Sequence, residues 1–98
     1  GYANAAAAIR FARETGTGVA LDASAGGIGG CPFAPAATGN IATEDLTYAL
    51  RRSGVTSGLD LTGVVAAASL IERSLGTSVP ALLGRAGLLA AAERDRLR

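Results

Sequence analysis

Residues Ser24 to Asn40 read SAGGIGGCPFAPAATGN, and no helix or strand of ordinary length can run through them. Glycine pairs stand at Gly26-Gly27 and Gly29-Gly30, and Pro32 and Pro35 follow. Each glycine costs conformational entropy when it is ordered, and each proline removes a backbone donor. The stretch therefore reads as a mobile loop between two regular elements, and it splits the chain into two differently patterned parts.

Before the loop, Ala5, Ala8, Ile9 and Ala12 recur at helical spacing and predict a helix over Asn4 to Thr15, stopped at Gly16. Val19-Ala20-Leu21 is a short apolar run between Gly18 and Asp22, the pattern of a buried parallel strand. Helix, glycine turn and strand make the second half of a βαβ unit. Asp22 and Ser24 then fall at the strand's C-terminal end, where α/β folds place their chemistry.

After the loop, Thr43 is placed as an N-cap, with Glu44 and Asp45 complementing the positive helix terminus. Leu46, Ala49 and Leu50 make the apolar face, Arg51 and Arg52 close the last turn, and Gly54 stops it. A third helix is predicted from about Asp60 to Leu75, with Leu61, Val64, Val65, Ala68, Ile71 and Leu75 in one stripe and Gly76 as its end. A further helical stretch follows Pro80, from Ala86 to Leu97. No internal repeat is present.

Composition limits the core. Of 98 residues, 49% are apolar, but many are alanine, which buries little area at roughly 25 cal/mol per Å². A large core from this chain alone is not expected. The chain opens at Gly1 directly into a helical run and contains no methionine, so it reads as an internal or C-terminal segment of a longer protein.

Nine arginines nearly balance eight acidic residues, with no basic stripe interleaved with aromatics, which argues against nucleic-acid binding. No apolar run approaches the ~20 residues of a membrane span. The single cysteine excludes an internal disulfide and fits a reducing compartment.

Cys31 has three readings. It is a buried structural thiol, a metal ligand, or a catalytic thiol. The second lacks company, since there is no histidine and no other cysteine. The glycine flanks favour the third, because exposed backbone amides can stabilise a thiolate. The glycines match neither a P-loop nor a dinucleotide fingerprint. Asn40 is either a turn asparagine or an amide oxygen offered to a hard metal ion. Glu44 and Asp45 read as helix-terminal charges rather than acid–base groups.

The run from Ser24 to Phe33 closely resembles the active-site signature of the 3-hydroxy-3-methylglutaryl-CoA lyases, usually written S-V-A-G-L-G-G-C-P-Y. Ala37 to Leu46 matches that family's A-T-G-N-x-A-T-E-D-L run. The resemblance extends from about Tyr2 to Leu83 and is strongest from Asp22 to Leu50. Ala25, Gly26, Ile28 and Phe33 replace the usual valine, alanine, leucine and tyrosine, which leaves the acyl group open.

The resemblance implies an α/β fold: the C-terminal part of a (β/α)8 TIM barrel followed by external helices, unable to close a complete barrel alone. Residues 1–58 would be the last helix and strand units with the catalytic loop, and 59–98 the C-terminal helices packed on the barrel. It also implies carbon–carbon cleavage of hydroxymethylglutaryl-CoA to acetoacetate and acetyl-CoA, with a divalent metal, Mg²⁺ or Mn²⁺. Cys31 would be the catalytic proton donor and Asn40 one metal ligand, with Asp22, Ser24, Gly29 and Gly30 close to substrate. The family's remaining ligands, an aspartate and a His-x-His pair, would lie outside this chain. The implied parent binds a small acyl-CoA, touches neither nucleic acid nor membrane, forms a homodimer, and is cytoplasmic and bacterial. Sister reactions on another 3-hydroxyacyl-CoA or 3-hydroxy acid share the motif. A non-catalytic piece, with the Leu61 to Leu75 stripe as a partner surface, is the alternative outside enzymes.

Overall fold

The computed structural model describes residues 2–30, 33 and 39–86. Among the described residues there are four helices: α1 Tyr2–Thr15, α2 Thr43–Arg52, α3 Leu61–Leu75 and α4 Leu83–Ala86. A 3-10 turn, Ala25–Gly27, lies between α1 and α2. None of the described helices is long and apolar enough to cross a membrane.

The expected strand does not form. Val19, Ala20 and Leu21 have no regular structure, and Val19 is 40% exposed. Among the described residues the parallel pairing is one bridge, Ser24 to Ala42, so they hold no sheet. The reason is physical: a parallel strand is fixed by backbone partners remote in sequence, not by its own pattern. What does form is the register of two strand ends side by side. Ser24 N–H donates to Ile41 O at 3.0 Å, and Thr43 N–H donates to Ser24 O at 2.9 Å.

The helix ends are where glycine predicts them. Gly76 caps α3 at φ +69°, its N–H donating to Glu72 O at 2.9 Å. α2 ends in a Schellman motif, with Gly54 N–H on Arg51 O and Val55 N–H on Leu50 O. Gly54 has φ +80° and open space where a Cβ would stand, so Gly54→Ala meets no clash and pays only for the left-handed backbone. The expected loss is about 1–2 kcal/mol. Gly18→Ala, at a position with ordinary φ and the same open space, should cost nothing by urea denaturation.

The helix starts differ from expectation. Ala42, not Thr43, is the N-cap of α2, and no side chain caps it. α3 begins after Asp60, again without a side-chain cap bond. The helix expected over Ala86 to Leu97 lies, past Ala86, outside the described residues, while Leu83–Ala86 is helical.

The core is small and made mostly of small residues. Ala42, Ala68, Val79 and Ala81 cluster, with Ile28 and Ile71 packed against them. Leu61, 2% exposed, is the largest fully buried side chain, worth about 2 kcal/mol of apolar burial. The α3 stripe thus faces inward at Leu61 and Ala68, while Leu75 is exposed. It is not the free partner surface that the non-enzymatic alternative requires. α1 stands apart: none of its residues is fully buried. A cleft of about 400 Å³ separates its Ala5, Ala6 and Ile9 from Leu46, Ala49 and Leu50 of α2.

Candidate functional site

The glycine turn is held from three sides. Gly26 N–H is bound by both carboxylate oxygens of Glu44, at 2.9 and 3.1 Å. Gly26 O accepts the N–H of Ala81 at 2.9 Å. A Cβ on Gly26 would lie 3.1 Å from Val79, and its φ is +74°. Only glycine meets both demands at once. Gly27 N–H closes the turn onto Ser24 O at 2.8 Å.

Asn40 sits on the far side of this turn. Its Nδ2 donates to Ile28 O at 3.0 Å. That bond orients the amide plane, with Nδ2 as its donor end. Gly29 backs the amide: a Cβ there would stand 2.9 Å from Nδ2, at a φ of +94°. A Cβ on Gly39 would come within 2.6 Å of Gly29 O, so the two backbones touch. Gly30 shows no such demand, with nothing within 4 Å of a Cβ.

Of the residues expected near the site, Ser24, Gly29 and Asn40 are brought together through the turn and its bridge to Ala42. Asp22 is not. It is exposed and lines a hollow of about 500 Å³ with Leu46, Thr47 and Leu50 of α2. Cys31, the expected catalytic thiol, lies outside the described residues.

The pattern gave no hint of what Glu44 and Asp45 do. Both were expected to be helix-terminal charges and do stand in the first turn of α2, but there Glu44 is 1% exposed and Asp45 is buried. Asp45 Oδ2 accepts from the Tyr2 hydroxyl and Leu82 N–H, and Oδ1 accepts from Leu83 N–H, all within 2.7 to 2.8 Å. Adjacent acids in a first helical turn look alike in sequence whether they face water or a neighbouring loop.

Tyr2 reports on this cluster. Partial burial, then the hydrogen bond to Asp45 and the charges of Asp45 and Glu44, push its pKa from 10.0 up to about 12. The folded pKa lies above the unfolded one, so the neutral phenol contributes stability below pH 10 and loses it as pH rises through about 12. In a Tyr48→Phe background, phenolate absorbance should titrate near 12. Asp45→Asn should lower that midpoint.

The chain that carries this turn and Asn40 is similar in sequence and structure to known lyases. The chain is 48% identical over 87 residues to the (R)-citramalyl-CoA lyase of Chloroflexus aurantiacus. It is 47% identical over 76 residues to the hydroxymethylglutaryl-CoA lyase of Pseudomonas mevalonii. A solved HMG-CoA lyase from Acinetobacter baumannii, in complex with coenzyme A and 3-methylmalate, superposes with a TM-score of 0.65 at 40% identity over 71% of the chain. The chain belongs to the hydroxymethylglutaryl-CoA lyase family. No family model matches it. These alignments take in 89% and 78% of this chain but only 26% and 24% of the two lyases, so it spans about a quarter of their length. The HMG-CoA lyase of Bacillus subtilis has the same relation, with a TM-score of 0.56 at 43% identity over 61% of the chain.

Proposed function

We propose that this chain is the C-terminal part of a hydroxymethylglutaryl-CoA lyase-like enzyme. Residues 1–58 would belong to the end of its (β/α)8 barrel and residues 59–98 to helices packed outside it. The observation that carries the reading is the seating of Asn40, whose Nδ2 donates to Ile28 O and so orients the amide within the glycine turn. The side-by-side ends at Ser24 and Ala42 support it, because neighbouring parallel strands of a barrel meet in this way.

The donor chemistry fits a hard divalent cation, Mg²⁺ or Mn²⁺, as one ligand of several. An amide oxygen is a normal ligand for such ions, which need several oxygens. No group of three or more His, Cys, Asp or Glu side chains is gathered among the described residues, so the chain would hold its share of the ion through Asn40 alone. When bound, the cation would supply Lewis-acid stabilisation of negative charge on the substrate's hydroxyl oxygen. A base of the full-length enzyme would take the C3 hydroxyl proton; as the C3 carbonyl forms, cleavage of the C2–C3 bond leaves acetoacetate and sends the bonding electron pair to the thioester as an enolate. Cys31 donates its thiol proton to C2 of that enolate, giving acetyl-CoA. Ser24 and the backbone around Gly29 and Gly30 border the acyl-CoA. The enzyme would be a cytoplasmic homodimer.

A second reading has its own support. The 48% identity to a citramalyl-CoA lyase favours a sister reaction on another 3-hydroxyacyl-CoA or 3-hydroxy acid. The test is to incubate the full-length protein with hydroxymethylglutaryl-CoA or citramalyl-CoA and Mn²⁺, with and without a chelator. Release of acetyl-CoA from the first substrate, lost on chelation, is expected. Cleavage of citramalyl-CoA instead would select the second reading, and no cleavage of either would overturn both.

A further inference from the structure

We infer that Glu44 is a positioning residue: by holding Gly26 N–H it fixes the glycine turn whose Ile28 carbonyl aims the amide of Asn40. The inference rests on the reading of Asn40 as a ligand, and it concerns a residue that touches neither substrate nor metal.

The contacts form a closed ring. From Asn40 the chain runs through Ile41, Ala42 and Thr43 to Glu44. Glu44 binds Gly26 with both oxygens, at 2.9 and 3.1 Å. From Gly26 the chain runs through Gly27 to Ile28, whose carbonyl accepts Asn40 Nδ2 at 3.0 Å. Two further bonds brace the ring from inside, both onto Ser24 O: Gly27 N–H at 2.8 Å and Thr43 N–H at 2.9 Å. Without the Glu44 bond, Gly26 O and Gly27 N–H keep their partners Ala81 and Ser24, but Gly26 N–H loses its acceptor and the turn one of its fixed points. Gly26 and Gly27 both sit at positive φ, where glycine has many alternatives.

Stability alone is a weak reason for this carboxylate. At 1% exposure it loses nearly all its hydration and gains a single backbone donor in return. Burying a carboxylate costs several kcal/mol, and an apolar residue of similar volume is often as stable. What the carboxylate provides, and an apolar residue does not, is one defined place for Gly26 N–H. Ala81 N–H on Gly26 O and Val79 against its α-carbon oppose the pull of Glu44 from the other side. The turn is thus clamped between α2 and the segment that follows α3.

Three variants of the full-length protein separate positioning from mere stability. Glu44→Gln keeps an oxygen at the same reach, Glu44→Asp keeps the charge but falls short, and Glu44→Ala removes both. Each is checked for native circular dichroism. The first readout is the Asn40 side-chain amide in a ¹⁵N correlation spectrum, which needs no metal. One of its two protons should be protected from exchange in the wild type and in Glu44→Gln, and the protection lost in Glu44→Asp and Glu44→Ala. The second is Mn²⁺ affinity by electron paramagnetic resonance, expected to fall about 10-fold in the same two variants, the size of other outer-shell effects. If Glu44→Ala does not fold, the aspartate and glutamine variants carry the comparison. Unchanged Asn40 protection in folded Glu44→Asp would overturn the inference. A wild type that keeps the protection but binds no Mn²⁺ would instead overturn the ligand role of Asn40.

Discussion

Asp45→Ala should lower the stability of this protein by about 3 kcal/mol, more than any other single change at the α2 terminus. Three donors converge on its two oxygens: the Tyr2 hydroxyl, Leu82 N–H and Leu83 N–H. Each part-buried backbone N–H left without an acceptor costs roughly 1–3 kcal/mol, and water can recover some of that. The two N–H groups open α4, so the carboxylate also serves as a helix-start acceptor supplied from across the fold. Alanine additionally frees α1, whose Tyr2 hydroxyl bonds to this carboxylate. Asp45→Asn can keep its acceptor oxygen toward Tyr2 and Leu82 but then turns an NH₂ toward Leu83 N–H, so about half the loss should remain. Tyr2→Phe removes only the exposed third of the cluster and should cost less than about 1.5 kcal/mol. Urea denaturation of the three variants, read as changes in midpoint at constant slope, gives the order. A near-wild-type Asp45→Ala would mean that the segment 81–83 is held by packing alone.

That cluster also marks the limit of what the sequence carries. The helices were legible because their apolar residues repeat at 3.6 and their ends carry glycine: Gly16, Gly54 and Gly76 all have positive φ just after α1, α2 and α3. Periodicity is a local property, and these are local structures. The strand expected at Val19 does not form, because a strand exists only with neighbours, and among the described residues Ser24 and Ala42 share one bridge. The burial of Glu44 and Asp45 was hidden for a related reason. Whether a first-turn acid meets water or a loop depends on where residues 79–83 return, some 35 positions later, and no pattern in the T-E-D-L run records it. Asn40 lay between: its residue type allowed two readings, and the Ile28 carbonyl shows which end of the amide donates to the turn. Gly29 and Gly39 could be told from Gly30 only in three dimensions. The first two are sites of close approach, and the third has open space around it.

Cys31→Ala should reduce turnover of the full-length enzyme by about 10² to 10⁴, the usual worth of a positioned proton donor, with little change in Mn²⁺ affinity. On the proposed mechanism the two functions are separable because they would belong to different residues. Asn40 would act before bond cleavage, by holding its share of the cation against the substrate oxygen, so Asn40→Ala should weaken Mn²⁺ binding as well as turnover. Cys31 would act after cleavage, when the enolate needs a proton at carbon. Its loss should therefore leave binding intact and slow the formation of acetyl-CoA. Cys31→Ser sharpens the comparison: a hydroxyl is nearly isosteric but a far weaker acid, so turnover should stay close to the alanine value if acidity is what matters. Recovery to near wild type in serine would point to packing instead. The measurements are steady-state kcat and KM for each variant, with Mn²⁺ affinity by electron paramagnetic resonance. A cysteine variant that loses metal affinity in step with turnover would place the thiol with the ligands and not with the proton transfer.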